Sequence, residues 1–299
     1  MSGVLVVDKP AGPTSHDVVA RVRRALRTSR IGHTGTLDPL ATGVLPLVVG
    51  RATRLASLFS GAEKEYDAGV RLGLATDTYD AAHLTGPSPP PPPGIGAAEV
   101  DAVLAEFRGR ILQSPPAYSA KKINGVAAYT LARRNEAVQP RAVPVTAHSL
   151  TLVAYADGVA RLQIRCSAGF YVRSLAHDLG ARLGCGAHLE TLRRGRAGCF
   201  EESAACRLQE IEAEGAEAAR RLVPLSALLP EMPAVVLTER GVRRASHGND
   251  LAGDDFVTSP GGPPLPAAER WRLLDGRGML LGIAERRPDG ALHPVIVLV

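Results

Sequence analysis

The chain has 299 residues, 45% of them apolar, with 35 Lys and Arg against 30 Asp and Glu for a formal net charge of +5; that is enough chain for one large domain with a smaller companion. Its cysteines, Cys166, Cys185, Cys199 and Cys206, show no CxxC spacing and no paired histidines at ligand distance, which indicates neither a zinc site nor a disulfide framework and fits reduced thiols in a cytoplasm. No apolar run approaches the roughly 18 residues of a membrane span and no charged-then-apolar leader opens the chain, so a soluble, cytoplasmic protein without membrane contact is expected.

Gly3 to Val7 reads as a short apolar strand, followed by turn signals through Pro13. Thr14 or Ser15 then caps a helix in which Val18, Val19, Val22 and Leu26 recur at helical spacing, with Arg23, Arg27 and Arg30 along another face. Such a stripe is either a solvated face or a phosphate-contacting one. The basic residues are nearly all Arg, with Lys only at positions 9, 64, 121 and 122, and guanidinium groups grip phosphate bidentately. The mild basic excess suits a polyanionic partner without establishing one.

Arg30 to Leu47, RIGHTGTLDPLATGVLPL, places one carboxylate among glycines and small or apolar residues. Asp38 precedes Pro39, which biases it toward an extended, loop conformation, either as a turn-opening residue or as a reactive group presented outward. Leu45 to Val49 reads as a buried strand. Lys64 to Leu72 alternates, with Tyr66, Ala68, Val70 and Leu72 on one face, and Thr76 to Asp80 forms a polar turn. Pro87 and the run Pro89 to Pro93 suggest a stiff extended linker. Val100, Val103, Leu104 and Phe107 mark an amphipathic helix.

Val145 to Tyr155 and Ala160 to Ser167 read as two antiparallel strands joined near Asp157-Gly158. A helix follows in which Val172, Leu175, Ala176, Leu179 and Leu183 keep period and Gly184 marks the end. Beyond Leu229 the texture turns to short strands with turns at Asp275-Gly276 and Asp289-Gly290 and a Gly/Pro-rich loop at Pro260 to Pro266. These patterns predict an α+β chain.

The segment from Gly32 to Pro46, GHTGTLDPLATGVLP, resembles nearly residue by residue the motif that carries the nucleophilic aspartate of the TruB family of tRNA pseudouridine synthases. Lys9 to Ser15 resembles the family's opening motif, and further matches lie at KEYDAGVRLG (64–73), QSPPAYSAKKINGVAAYTLAR (113–133) and CSAGFYVRSLAHDLGARLGCGAHLETLRR (166–194). Phe170 and Ser174 stand where threonines are expected, and Ala82-His83 where a glycine is. The resemblance runs from about Gly3 to Leu229, and the last strands look, more weakly, like a PUA module.

The resemblance implies a mixed, mainly antiparallel central sheet flanked by helices over residues 1–229. A small β-rich, PUA-like RNA-binding domain would follow over 230–299. It implies a monomer that isomerises uridine to pseudouridine at position 55 in the T-loop of tRNA, with neither cofactor nor metal. Asp38 would be the nucleophile and Arg173 its partner, holding it ionised by lowering its pKa. Tyr66 would stack on the uracil, Tyr171 lie against base or sugar, and Leu192 pack beside the ring. Lys122 and Asp80 would take part in RNA or substrate contact, and His33 would fill the space left by the flipped base. Removal of the C5 proton requires a base, for which a tyrosine is the candidate. Two other classes stay open: an RNA-binding folding chaperone that needs no chemistry, and a nucleoside or glycoside hydrolase, which would use paired carboxylates and release the base or sugar.

Overall fold

A computed structural model describes residues 1–82, 84, 86, 90, 92–118, 122–123, 126–127, 141–257 and 268–298, with the side chains of 122, 123, 126 and 127 left aside. His83, Pro87, Pro89 and Pro91 of the proline-rich stretch, Lys121, Asn124-Gly125 and residues 258–267 lie outside the described residues.

The strands are β1 (Gly3–Lys9), β2 (Ile31–His33), β3 (Thr42–Val49), β4 (Lys64–Leu72), β5 (Gly109–Gln113), β6 (Lys122–Ile123), β7 (Val126–Ala127), β8 (Val143–Ala156) and β9 (Val159–Cys166). They continue with β10 (Ala187–Ala197), β11 (Phe200–Glu201), β12 (Cys206–Arg207), β13 (Val223–Pro224), β14 (Ala234–Val236), β15 (Arg270–Leu274), β16 (Leu280–Arg286) and β17 (Leu292–Val297). The large sheet runs β12-β1-β3-β10-β4-β9-β8-β5, with β2 also on β3, β11 on β10 and β13 on β1. Its pairs are antiparallel except β1 with β12 and β3 with β10, so the sheet is mixed and mainly antiparallel, as expected.

The sequences of β1, GVLVVDK, and β3, TGVLPLVV, are apolar on both faces because both faces are covered. Leu5, Val7, Leu45, Leu47 and Val49 join one core, together with Val18, Val19 and Val22 of the Ser15–Ala25 helix and Leu175, Ala176 and Leu179 of the Val172–Arg182 helix. Val4, Val6, Val44 and Val48 point the other way, into a second core with Leu55, Phe59 and Phe200. In β9, Ala160, Leu162, Ile164 and Cys166 are buried while Arg161, Gln163 and Arg165 are exposed, the alternation of a sheet covered on one side. The β8–β9 turn puts Asp157 (φ 52°) and Gly158 (φ 75°) in the left-handed region, as a two-residue hairpin turn of this hand requires.

Two features of the sheet locate the site. Thr14 caps the Ser15–Ala25 helix in a capping box with Asp17 and fixes where the chain turns off β1. On the side of β3 away from β1, the neighbour changes: β10 pairs at Thr42 and Gly43, and β2 at Leu47 to Val49. The β2 ladder reaches Thr34, whose N–H donates to the Pro46 carbonyl at 3.2 Å, and stops there because Pro46 has no N–H to return. The fork between β2 and β10 is spanned by the fully buried Arg194, whose Nε donates to the Val44 carbonyl (2.7 Å) and Nη2 to that of Gly35 (3.1 Å).

The C-terminal residues form a second sheet, β14-β15-β16-β17, with its own core around the buried Trp271. It also carries a helix, Glu239–Ser246, capped by Thr238, which the sequence patterning did not predict. Its outer-facing Leu280, Ile283 and Leu298 lie in the same core as Val4, Val6 and Leu55. The two sheets are therefore joined by apolar packing and not by a bare linker.

Candidate active site

Released at Thr34, the chain passes through Gly35 into a loop that carries Asp38 and re-enters the sheet at Thr42. The loop is held from the side of β1. The ammonium of the fully buried Lys9 donates to the carbonyls of Ala41 (2.7 Å), Pro10 (2.9 Å) and Pro39 (3.3 Å). The Ser15 hydroxyl accepts from the Leu37 N–H (2.8 Å) and donates to the Leu37 carbonyl (3.0 Å). Asp38 is thus anchored at the residues on both sides. At Gly43 (φ 98°) β3 comes so close to β10 that a Cβ would sit 2.3 Å from the Arg194 carbonyl oxygen, which only glycine permits.

Arg173, in the first turn of the Val172–Arg182 helix, meets Asp38 with a fork: Nε lies 2.8 Å from Oδ2, and Nη2 donates to Oδ1 at 3.0 Å. The guanidinium side chain is 6% exposed and the Asp38 side chain 31%, so the acid keeps an open face while the base is enclosed. Arg173 also donates to the carbonyls of Thr78 (3.1 Å) and Tyr118 (3.0 Å), and its Nη1 lies 3.7 Å from Oδ2 of the buried Asp80. Asp80 is fixed in turn by the Thr78 hydroxyl (2.8 Å) and the Ala82 N–H (3.1 Å), so the loop closes without the expected glycine.

The balance of charges differs from the expected lowering of the Asp38 pKa. Removal from water in the cleft raises it above the ordinary 3.8; Arg173 and, more weakly, Lys9 pull it down, and Asp80 pushes it up again. Desolvation outweighs the ion pair, leaving a carboxylate that is held in place but poorly solvated.

Asp38, Tyr66, Tyr171, Arg173 and Leu192 all border one cleft of about 240 Å³, together with Lys64 and Arg194. Five of the eight residues singled out from the sequence thus come together there. Tyr66 leans from β4 toward Arg194, and burial raises its phenol above the ordinary 10.0. It stays protonated at neutral pH, which counts against a phenolate at Tyr66 as the C5 base. Tyr171 is positioned through its backbone: the buried Gln113 side chain accepts from its N–H (2.7 Å) and donates to its carbonyl (2.9 Å). Phe170 is buried in the core, and the Ser174 hydroxyl donates to the Ser114 carbonyl at 2.7 Å, so both departures from the expected threonines find a packing role.

Asp80 and His33 are not among the residues that border that cleft. Asp80 acts on it through Arg173. His33 ends β2 and meets His16 edge-on at 5.3 Å, with burial first and then the neighbouring His16 and Arg194 lowering its pKa below the ordinary 6.5. Lys122 is described only by its backbone, paired with Ala127 across β6 and β7; its side chain lies outside the described residues. Among the described residues no group of three or more His, Cys, Asp or Glu side chains is placed to hold a metal ion, and no helix is long and apolar enough to cross a membrane.

Sequence reasoning passed over Lys9, Lys64, Gln113 and Arg194 as site residues. The lysines carried a signal, since two of only four in the chain abut apolar strands. Burial lowers both to about 8, and Lys64 donates to the carbonyls of Ser60 (2.6 Å) and Ala62 (2.5 Å). Arg194 is one of many arginines, and nothing local marks it. Beside the cleft, sharing Leu192, lies a broader concavity of about 980 Å³ that includes Thr42, Arg71, Arg161 and Arg193.

Residues 23–172 match the sequence profile described as TruB family pseudouridylate synthase (N terminal domain), and residues 173–232 that of the tRNA pseudouridylate synthase B C-terminal domain. The chain is 44% identical to the tRNA pseudouridine synthase B of Solibacter usitatus over 100% of both chains. It is 42% identical to that of Xanthomonas campestris pv. campestris (strain B100) over 98% of this chain and 93% of that protein. Among solved structures, a chain of a Cbf5-Nop10-Gar1 complex superposes with a TM-score of 0.73 at 25% identity, covering 99% of this chain and 85% of the other. With a match of this length and identity and the same α+β fold, the chain belongs to the TruB family of pseudouridylate synthases.

Proposed function

We propose that this protein converts uridine to pseudouridine in tRNA, at position 55 of the T-loop, with Asp38 as the nucleophile and without a cofactor. The observation that carries the reading is the Asp38 carboxylate: forked by an enclosed Arg173, open on one face, and bordered by the ring of Tyr66. Relatives at 38–44% identity bear the name tRNA pseudouridine synthase B. The reaction breaks the C1′–N1 bond, turns the base and joins C1′ to C5; N1 ends with a proton and C5 loses one, so mass and oxidation state are unchanged.

On this reading Asp38 attacks the flipped nucleotide at the sugar carbon or the base ring and releases it again, while the cleft keeps the freed uracil from escaping. Arg173 orients the carboxylate and offsets part of its desolvation cost. Tyr66 and Leu192 sandwich the base, Tyr171 lies against base or sugar, and His33 occupies the vacated stack. Lys122 and the arginine-lined concavity meet the phosphates, and Asp80 steadies Arg173. Residues 230–299 form a PUA-like RNA-binding domain whose exposed Arg240 and Arg243 face solvent, and the protein works as a monomer.

The test is tritium release from C5-labelled uridine in tRNA, with chemical mapping of the product position. Asp38→Asn should lower release by ~10³-fold or more while tRNA still binds. Undiminished release would remove Asp38 from the mechanism, and an essential role that survives the substitution would favour a folding chaperone. Free uracil among the products would favour a hydrolase.

A further inference from the structure

Tyr79 is one of four non-glycine residues with positive φ among the described residues (64°). A left-handed tyrosine costs on the order of 1 kcal/mol or more in backbone strain, and such strain persists only where surrounding structure enforces it. Its two chain neighbours are Thr78 and Asp80, and both reach the same atom, Nη1 of Arg173: Thr78 through its carbonyl at 3.1 Å and Asp80 through Oδ2 at 3.7 Å. The left-handed turn at Tyr79 is what lets residues on either side of it converge on one guanidinium.

Three contacts enforce the turn. The Tyr79 N–H donates to the Thr76 carbonyl (3.1 Å), and its carbonyl accepts from the Leu189 N–H (2.9 Å). The third is a ring stack: the phenol lies on the imidazole of His177 with centroids 3.9 Å apart and planes 15° from parallel. His177 sits one helical turn after Arg173, on the same face of the Val172–Arg182 helix. The turn and the helix are therefore clamped twice, by Arg173 and, one turn along, by the stacked rings. The buried Nδ1 of His177 has no hydrogen-bond partner among the described residues, so the imidazole works here through its ring face.

We propose that Tyr79 and His177 are positioning residues for catalysis: their stack holds Thr78 and Asp80 on Arg173, and so holds the Arg173 fork on Asp38. The inference rests on the proposed function, in which that fork serves the chemistry. Neither residue borders the substrate cleft, so the effect should fall on kcat and spare tRNA affinity.

Tyr79→Gly is the most discriminating variant, because glycine adopts positive φ without strain and the fold should not suffer. Single-turnover tritium release from the full-length protein should fall about tenfold or more, with the Kd for tRNA within about twofold of the parent and Tm not lowered. Tyr79→Phe and His177→Phe keep a stackable ring and should retain near-parental rates, whereas His177→Ala should behave as Tyr79→Gly. An unchanged rate in Tyr79→Gly would overturn the proposal, as would a loss seen in Kd alone, or a His177→Phe variant as slow as His177→Ala. Asp38→Asn run beside them separates the two levels: full release in that variant would sink the proposed function, while its loss alongside an active Tyr79→Gly would sink only the positioning role.

Discussion

At the residue scale, the Asp38 carboxylate is held in tension between water exclusion and a cationic fork. On the proposed mechanism activity requires the ionised form of Asp38, whose pKa burial has raised, so the acid limb of kcat/KM should lie above 3.8 and the rate should rise with pH through it. Asp80 contributes to the upward push, so Asp80→Asn should move that limb of its residual activity to lower pH. A pH–rate profile of both proteins checks the sign, and a limb that moves upward contradicts it. Arg173→Lys keeps the charge but not the planar fork, and kcat should fall about 10²-fold, read in single turnovers. Asp38 and Arg173 were legible in the sequence because a lone carboxylate among glycines and an arginine opening a periodic helix stand inside long motif matches. The net pKa direction was not legible, because desolvation depends on what packs round the loop and cannot be read from the partner's charge.

At the element scale, the cleft is assembled from chain segments far apart in sequence, each delivered by a regular element with a readable pattern. The alternation of β4 and β9, the capped helix after β1 and the Asp157-Gly158 hairpin were all written in local chemistry. Gln113 was not: its neighbours gave no hint that its amide would pair with both backbone groups of Tyr171, 58 residues on. Gln113→Ala leaves an N–H and a carbonyl without that partner in a part-buried setting and should cost about 1–3 kcal/mol. Urea unfolding followed by far-UV circular dichroism reads the loss. A change within 0.5 kcal/mol would mean that water replaces the amide at little cost.

At the scale of the whole molecule, the two-sided burial of β1 and β3 ties the catalytic sheet to the C-terminal one. Ending the chain after Leu229 would bare Val4, Val6, Val44 and Leu55, so the truncated protein should bind a hydrophobic dye and aggregate where the full chain stays dispersed. A monodisperse, active truncation would show that the second core closes without β16. The sequence did reveal a β-rich end to the chain but not this shared core, because Leu280 and Ile283 read equally well as the interior of an independent sheet. The arginine-rich surface makes a separate prediction: tRNA affinity should fall steeply between low and moderate salt, as phosphate contacts release counterions, and a flat titration would count against it.

Pro46 has a consequence of its own. The Thr34 amide is bonded to the Pro46 carbonyl, and in a regular antiparallel rung the amide at 46 would answer it. An ordinary residue there would supply that missing half, inviting β2 to zip further along β3 and drag the following loop flat against the sheet. Pro46→Val should therefore yield a protein that melts no lower than its parent yet turns over more slowly, its Asp38 loop caught up in secondary structure.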